Sequence, residues 1–250
     1  MTVNFKDHFS RGSADYAAHR PTYPMALVDF LAGLCPARGH ALDCGCGTGQ
    51  LSMLLAERFD EVTATDASVS QISQAQAREG VTYRTAAAED SGLPDGSVDL
   101  VTAAQAAHWL DLDVFYEEVR RVARPDAVIA LITYGVMHID DPAADPITQH
   151  FYHNVIGPWW PPERRLVEEG YRSLPFPFRE VQSPALVMEV QWSLSDVLGY
   201  VETWSAAGAA RKASGGAAIA VFQTDLAQVW GDPETRRRVS WPLSLRVGRV

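Results

Sequence analysis

Cysteine is scarce in this chain: Cys35, Cys44 and Cys46 are its only three in 250 residues. That is too few for a disulfide framework. Cys44 and Cys46 stand two apart, but no further Cys/His cluster has ligand spacing, so no metal is expected. The pair reads instead as small residues packed under a turn. Long apolar runs are missing too: none approaches the ~20 residues that span a bilayer. The opening Met1–His8 lacks the apolar centre of a secretory leader. The expectation is a cytoplasmic protein without membrane contact. Positive charge is in deficit, with 21 Lys and Arg against 31 Asp and Glu and a net charge of −10. A protein that grips a phosphate backbone carries a basic patch. The only short basic cluster here, Arg236–Arg238, reads as solvated surface. Nucleic acid is therefore not expected as a partner. Internal repeats, low-complexity tracts and separable linkers are also absent.

What is present is an apolar content of 47%, that of a globular protein, spread over a length suited to one domain, 1–250, with a modest cap. The chain is organised around Ala41-Leu42-Asp43-Cys44-Gly45-Cys46-Gly47-Thr48-Gly49-Gln50. An apolar entry runs into a turn with three glycines in five residues, and Leu51, Leu54, Leu55 and Phe59 follow at helical spacing. This predicts strand, tight turn, helix. Glycine tolerates φ > 0 and lets a ligand lie against the backbone. Amides at a helix start favour anionic or electron-rich groups. Asp43 stands at the strand end, where ligands of open α/β sheets bind. The plain alternative is a structural turn. Twenty-one residues after Gly45, Asp66 closes a second apolar run, Glu61–Asp66. An acidic residue there can accept both hydroxyls of a ribose, or it can cap a helix ahead of Ala67-Ser68.

The remaining pattern alternates. Strands are predicted at about 40–44, 61–66, 81–86, 98–103 and 127–134, and helices at 49–59, 69–79 and 112–123. The strands are short and apolar, as in a parallel sheet covered on both faces, and the alternation predicts a doubly wound sheet with right-handed crossovers. Before this core, 8–35 reads as a lid-like arm followed by a helix that Pro24 opens. Tyr16 and Arg20, four apart, share a face if the arm is helical. After it, 136–184 is rich in proline, histidine and aromatics. Helices near 144–156 and 162–170, and again at 194–206 and 215–230, make 136–184 and 194–235 helical cap insertions. Strands at 185–192 and 241–249 complete the chain.

Leu42-Asp43-Cys44-Gly45-Cys46-Gly47-Thr48-Gly49 resembles the first motif of class I S-adenosylmethionine-dependent methyltransferases. Ala88-Glu89-Asp90-Ser91-Gly92-Leu93-Pro94-Asp95-Gly96-Ser97-Val98-Asp99-Leu100-Val101 resembles their third and fourth motifs, and Arg121-Val122-Ala123-Arg124-Pro125 the segment before their fifth strand. Together these cover residues 40–135 in the family's order. Phe9-Ser10 through Tyr16, Arg20-Pro21 and Tyr23-Pro24, with Gln105-Ala106-Ala107-His108-Trp109, are similar to a subgroup that includes trans-aconitate methyltransferases. The resemblance implies a Rossmann-like, doubly wound, mostly parallel seven-stranded sheet, its last strand antiparallel. It implies S-adenosylmethionine as cofactor and S-adenosylhomocysteine as product. The Gly45, Cys46, Gly47 and Gly49 turn would face the amino-acid end, with Asp43 orienting it. Asp66 and Ala67 would meet the ribose, and Ala88 and Glu89 the adenine. Many relatives have an Asp before that Ala; this chain has Ala87, leaving Glu89 or Asp90 as substitutes. Gln105 would touch the methionine portion, with Tyr16 and Arg20 closing over it or over the substrate.

His108 and Trp109 follow strand four, near the transferred methyl if the fold holds. Histidine titrates near neutrality and suits a general base; Trp109 can wall the pocket or face the sulfonium. The alternative is a satisfied histidine and a core tryptophan. The expected activity is O-methylation of a small-molecule carboxylate. A carboxylate is already ionised, so His108 need only orient it, with Arg20, Arg164, Arg165 or Arg211 as clamps. A phenol or carbon nucleophile would make His108 a proton acceptor. Trp159, Trp160, Arg164, Tyr200 and Trp204 are the candidates for substrate contact. Two other classes stay open, a nicotinamide-dependent oxidoreductase and a non-catalytic adenosyl-ligand binder. The first usually spaces its third glycine three residues after the second, whereas Gly49 comes two after Gly47. The expected assembly is a monomer or homodimer.

Overall fold

The structure, a computed structural model, describes residues 21–250. The expectations placed on Tyr16, Arg20 and the arm before residue 21 lie outside the described residues. Pro24 caps helix α1 (Met25–Leu34), which buries Leu27, Val28 and Leu31. Strand β1 (His40–Cys44) leads through the glycine turn into α2 (Gln50–Leu55). Then follow β2 (Glu61–Asp66), α3 (Val69–Ile72), β3 (Val81–Thr85) and β4 (Val98–Ala104). A short 3₁₀ turn, Ala107–Trp109, precedes α4 (Leu112–Val122) and β5 (Ala123–Tyr134). The α4 helix starts where the Asp111 carboxylate accepts the Val114 amide. It ends with Arg120 and Arg121 in its last turn, where positive charge complements the helix dipole.

Beyond β5 come β6 (His138–Ile139), α5 (Ala144–His150) with a wide turn through Val155, α6 (Arg164–Glu168), β7 (Arg179–Val181) and β8 (Val187–Trp192). Helices α7 (Leu194–Glu202), α8 (Ser205–Ser214) and α9 (Ala217–Trp230) then lead into β9 (Arg237–Arg249). The sheet order is β3-β2-β1-β4-β5-β9-β6, with β7 and β8 also paired to β9. Strands β1 to β5 are parallel, and β9 runs antiparallel to β5. This is the expected doubly wound sheet with an antiparallel last strand. Its sixth position is shared: β8 pairs with the first half of β9 and β7 with its end.

Side-chain alternation along the buried strands feeds two cores. Val128, Ala130 and Ile132 of β5 join α1, α2 and the later helices on one face. Ile129 and Leu131 join Phe115, Tyr116, Val119, Val167 and Tyr171 on the other. Period two on a doubly covered strand explains why these runs are apolar throughout.

Several helix boundaries differ from the expected ones. The helix expected at 69–79 stops at Ile72. The Ser73 hydroxyl bonds the Ser70 carbonyl, and the sequence beyond offers no apolar face to reward propagation. The helix expected at 49–59 ends at Leu55, although Phe59 is still buried. The one at 194–206 ends at Glu202, because Trp204 turns extended and a new helix, α8, begins. Gly215 and Gly216, both left-handed at φ +71° and +85°, delay α9 to Ala217.

One contact ties the sheet's lower edge together. Asp99 is fully buried, and its Oδ2 accepts the Gly39 amide at 2.8 Å, the His40 amide at 3.0 Å and Arg124 Nη1 at 2.7 Å. Burial pushes its carboxyl up, but the His40 amide, Arg124 and the Gly39 amide outweigh this and hold it below the usual range. Oδ1 is buried without a partner and offsets part of the gain. Asp99→Ala is expected to cost about 3 kcal/mol in urea denaturation at pH 7. Because the folded-state pKa is depressed, this contribution is present above the unfolded value of about 4 and is lost as pH falls through the folded one. The gap between wild type and variant should therefore shrink below about pH 4.

Candidate active site

The glycine turn is built from left-handed backbone. Gly45, Gly47 and Gly49 have φ of +65°, +57° and +86°. A Cβ on Gly45 would lie 2.5 Å from the Ala106 Cβ, so the turn is pressed against the segment that follows β4. A Cβ on Gly49 would enter the Tyr83 ring. Among the described residues, one on Gly47 would meet only Gln71 Oε1, at 3.8 Å. Among the described residues the outer rim of the turn is thus backbone with room beside it, which fits the amino-acid end of an adenosyl cofactor. Cys44 is buried beneath it and Cys46 half-buried. Burial pushes both thiols upward, so neither is a nucleophile. Among the described residues there is no His/Cys/Asp/Glu group suited to a metal.

Two carboxylates hold the turn. Asp43 is 1% exposed and accepts the Ser52 hydroxyl at 2.6 Å and the Thr102 hydroxyl at 2.7 Å. Burial pushes it up to about 6, against the two hydroxyls that favour its charge. Asp66 sits at the tip of β2. Its Oδ2 accepts the Gly47 amide at 2.9 Å and its Oδ1 the Ser68 amide at 2.8 Å. The cap of α3 is Ser68, not Asp66. Each Asp66 oxygen keeps a second lone pair, so two further donors can still be accepted.

After β3, Ala88 is buried and Glu89 Oε1 accepts the Asp111 amide at 2.9 Å. The segment is anchored from beneath by buried Glu118, which takes the Ser91 amide at 2.9 Å and the Ser91 hydroxyl at 2.5 Å. Glu118 was not legible as a site residue, because its partner lies 27 positions away.

On the other side of the glycine turn, two sets of polar contacts lie near the ends of β4 and β5. Gln105 has φ +54°, unusual for a residue with a side chain. Its amide nitrogen donates to the Tyr134 carbonyl at 3.4 Å, and its Oε1 accepts the Thr133 hydroxyl at 3.1 Å. His108 Nδ1 lies 2.7 Å from the Tyr171 hydroxyl. Burial, then the charge of Arg164, lowers His108 to about 4. This corrects the expectation of a histidine titrating near neutrality: the ring is uncharged at pH 7. Trp109 packs against it, centroids 4.7 Å apart. Tyr171 was not singled out for this role. It is 63 residues from His108, and only the tertiary fold brings them together.

Of the five substrate candidates, four meet. Trp160 and Trp204 pack on Tyr152 and Tyr200 packs on Trp204, with ring centroids 4.9–5.9 Å apart for the neighbouring pairs. The Arg164 guanidinium lies 5.0 Å from the Trp160 ring centre and bonds the Tyr152 hydroxyl. Trp159 stands apart, 41% exposed. Arg165 points outward and pairs with Glu169, and Arg211 pairs with Glu202.

The methyltransferase domain family matches residues 42–131. A methyltransferase of Dictyostelium discoideum is 36% identical over 214 residues, 84% of this chain and 81% of that one. A solved structure from Anaeromyxobacter dehalogenans, described as a type II methyltransferase, is 50% identical, covers 92% of this chain and 97% of its own, and superposes with a TM-score of 0.88. The malonyl-[acyl-carrier protein] O-methyltransferase of Geobacter sulfurreducens is 34% identical over 142 residues, 52% of each chain. A glycine turn braced by two carboxylates, in a sheet of this order, and relatives that align over most of their length agree: the chain belongs to the S-adenosylmethionine-dependent methyltransferases.

Proposed function

We propose that the chain methylates a small molecule held between the ends of β4 and β5 and the aromatic cluster of Tyr152, Trp160 and Trp204. The observation that carries this reading is the position of His108. It lies two residues from Ala106, which touches the cofactor turn, and the charge of Arg164 reaches it from the aromatic side. When bound, S-adenosylmethionine supplies an electrophilic methyl that a nucleophile takes by in-line displacement. The Gly45, Cys46, Gly47 and Gly49 turn would hold the amino-acid end, Asp66 and Ala67 the ribose, and Ala88 and Glu89 the adenine. Asp43 acts through Ser52 and Thr102, by keeping the turn in place. The aromatic cluster, Trp109 and the helices of 136–184 and 194–235 would shut out water as a cap, a main source of acceleration in displacement chemistry.

Two acceptors have separate support. A carboxylate is supported by the likeness to trans-aconitate methyltransferases, by the named oxygen acceptor of the Geobacter relative, and by Arg164 as a clamp. Against it, Arg164 already bonds Tyr152 and lies 3.8 Å from Glu168. A phenol, alcohol or carbon acid is supported by His108 itself, neutral at pH 7 and able to take a proton.

A screen of small acids, phenols and amines with labelled methyl donor tests the class. His108→Gln then separates the two. With a carboxylate it should keep much of its turnover; with a proton-bearing acceptor it should lose ~10²–10⁴-fold. Since a base must be unprotonated and His108 sits at about 4, the wild-type rate should be flat from about pH 6 to 8 and fall only in acid.

The turn offers a second check. Gly45→Ala combines a disfavoured φ with a clash and should cost about 2–4 kcal/mol of stability. Gly47→Ala should cost only about 1 kcal/mol. Yet it should weaken S-adenosylhomocysteine binding tenfold or more, about 1.4 kcal/mol, as read by isothermal titration. Normal affinity in that variant would take the turn out of the cofactor site.

A further inference from the structure

Arg164 carries a charge that its neighbours only half use. Its side chain is 20% exposed. Nε donates to the Tyr152 hydroxyl, and Tyr152 donates its own proton to Glu168 Oε1 at 2.7 Å. Burial pushes the Tyr152 hydroxyl up, so it stays neutral between them. Glu168 Oε1 is 3.8 Å from Nε, beyond hydrogen-bond reach. The two Nη groups carry all the remaining N–H donors of the guanidinium. They have no hydrogen-bonded partner among the described residues.

The guanidinium is also aimed. It lies 5.0 Å from the Trp160 ring centre and 5.5 Å from that of Tyr152. The Trp160 indole in turn bonds the Tyr152 carbonyl at 3.4 Å. Tyr152 is buried in the wide turn Phe151–Val155, and π-type turns of this kind recur at functional sites. Held along its Nε edge and flanked by two rings, the guanidinium keeps its other edge for a partner. That edge is a fork matching the two oxygens of a carboxylate. A mostly buried guanidinium with an unused fork carries a desolvation cost that a bound anion offsets.

Arg164, Val167 and Glu168 share a face of α6, at spacings of three and four, and α6 packs on β5. Val167 is buried with Tyr171, whose hydroxyl meets His108 Nδ1 at 2.7 Å. Trp160 packs on Trp204, ring centres 5.9 Å apart, and Trp204 on Tyr200. The fork therefore belongs to an element that joins the aromatic cluster to the residues past β4 and β5.

We propose that Arg164, aimed by Tyr152 and Glu168, is the recognition point for a carboxylate carried by the methyl acceptor, and that this carboxylate is the handle of the molecule and not the group methylated. This rests on the reading that the acceptor lies between the ends of β4 and β5 and the aromatic cluster. Methylating a carboxylate makes a neutral ester, so a grip on it weakens as the methyl arrives. Such a grip favours the ground state over the transition state and slows the step. Held away from the reacting atom, the same ion pair lasts through the displacement and places the acceptor. The faces of Trp160 and Trp204 suit a flat body. The acceptor class is then an aromatic or unsaturated acid with a separate hydroxyl or amine. A lone pair of that second group forms the bond to the methyl carbon, the electrons of the broken methyl–sulfur bond stay on sulfur, and the displaced proton goes to His108 or to water. Tyr152 and Glu168 are positioning residues: they act through Arg164.

Binding is read by isothermal titration on the full chain, with and without S-adenosylhomocysteine. The probes are benzoate, cinnamate and their para-hydroxy derivatives, each against its amide, and thermal unfolding checks that every variant is folded. The acids should bind about tenfold or more tighter than the amides, and Arg164→Gln should erase the difference. Acids that bind no better than their amides overturn the inference. Tyr152→Phe keeps the ring but removes the bridging hydroxyl, so Arg164 should close onto Glu168 and the preference for acids should fall about tenfold. Glu168→Gln added to Tyr152→Phe removes that competitor and should restore most of it, which a merely structural role for Tyr152 would not; no recovery overturns the aiming. In the acceptor screen the products should keep a free carboxylate, and a methyl ester formed from a monocarboxylate overturns the handle. If acids bind through Arg164 but none is methylated, the reading of where the acceptor lies fails and the anion site stands. If neutral acceptors are methylated equally by wild type and Arg164→Gln, that reading stands and the inference falls.

Discussion

The site depends first on a buried carboxylate. Asp43 ends β1 with almost no exposure, and its two oxygens take the hydroxyls of Ser52 in α2 and Thr102 in β4. One side chain thereby ties the central strand, the helix after the glycine turn and the next parallel strand. Burying a carboxylate is costly unless its oxygens are satisfied. Here the residual cost shows as a carboxyl pushed up to about 6. The turn between these anchors has left-handed backbone at three glycines, and Asp66 holds its Gly47 amide from the neighbouring strand. The glycine turn is therefore backbone held in place by acids, not a set of projecting side chains.

The region past the ends of β4 and β5 is built differently. Its groups come from β4, β5, the segment after α6 and the aromatic helices, and each is held by side-chain contacts over long sequence separations. Gln105 and Tyr171 both sit at positive φ without being glycine, a strain of order 1–3 kcal/mol each that surrounding contacts must impose. Tyr171 meets His108 Nδ1 at 2.7 Å, and Gln105 bonds Thr133 and the Tyr134 carbonyl. Strain and side-chain hydrogen bonds coincide at Gln105 and Tyr171, whereas the turn after β1 takes its positive φ at glycines. Arg164 links the two layers. It stacks on Trp160, bonds Tyr152 and, with burial, keeps His108 uncharged.

Much of this was legible in the chain. The strands at 40–44 and 61–66 appear with those limits, because short apolar runs bounded by turn residues leave little choice. The spacing of Gly45, Gly47 and Gly49 against Asp66 foretold a turn beside a strand tip. Helix ends were less legible. Ile72 ends a helix whose continuation is polar all round, so packing and not propensity decided its length. The strands at 138–139 and 179–181 were invisible, since a strand of two or three residues exists only through its pairing with β9. The ribose reading of Asp66 foresaw an acid at the right tip but not that both its oxygens already serve backbone amides.

The sequence by itself determined the fold class, the glycine turn and the family, because these follow from local rules: period-two burial, glycine's freedom at positive φ, and motif order along 40–135. Only the tertiary structure decided the state of His108. Its pKa comes from burial under other elements and from Arg164, 56 positions on. Its partner Tyr171 comes from beyond α6. Its charge and its partner are set by groups distant in the chain but adjacent in space. No local pattern encodes an adjacency that exists only once the sheet and its covering helices have closed.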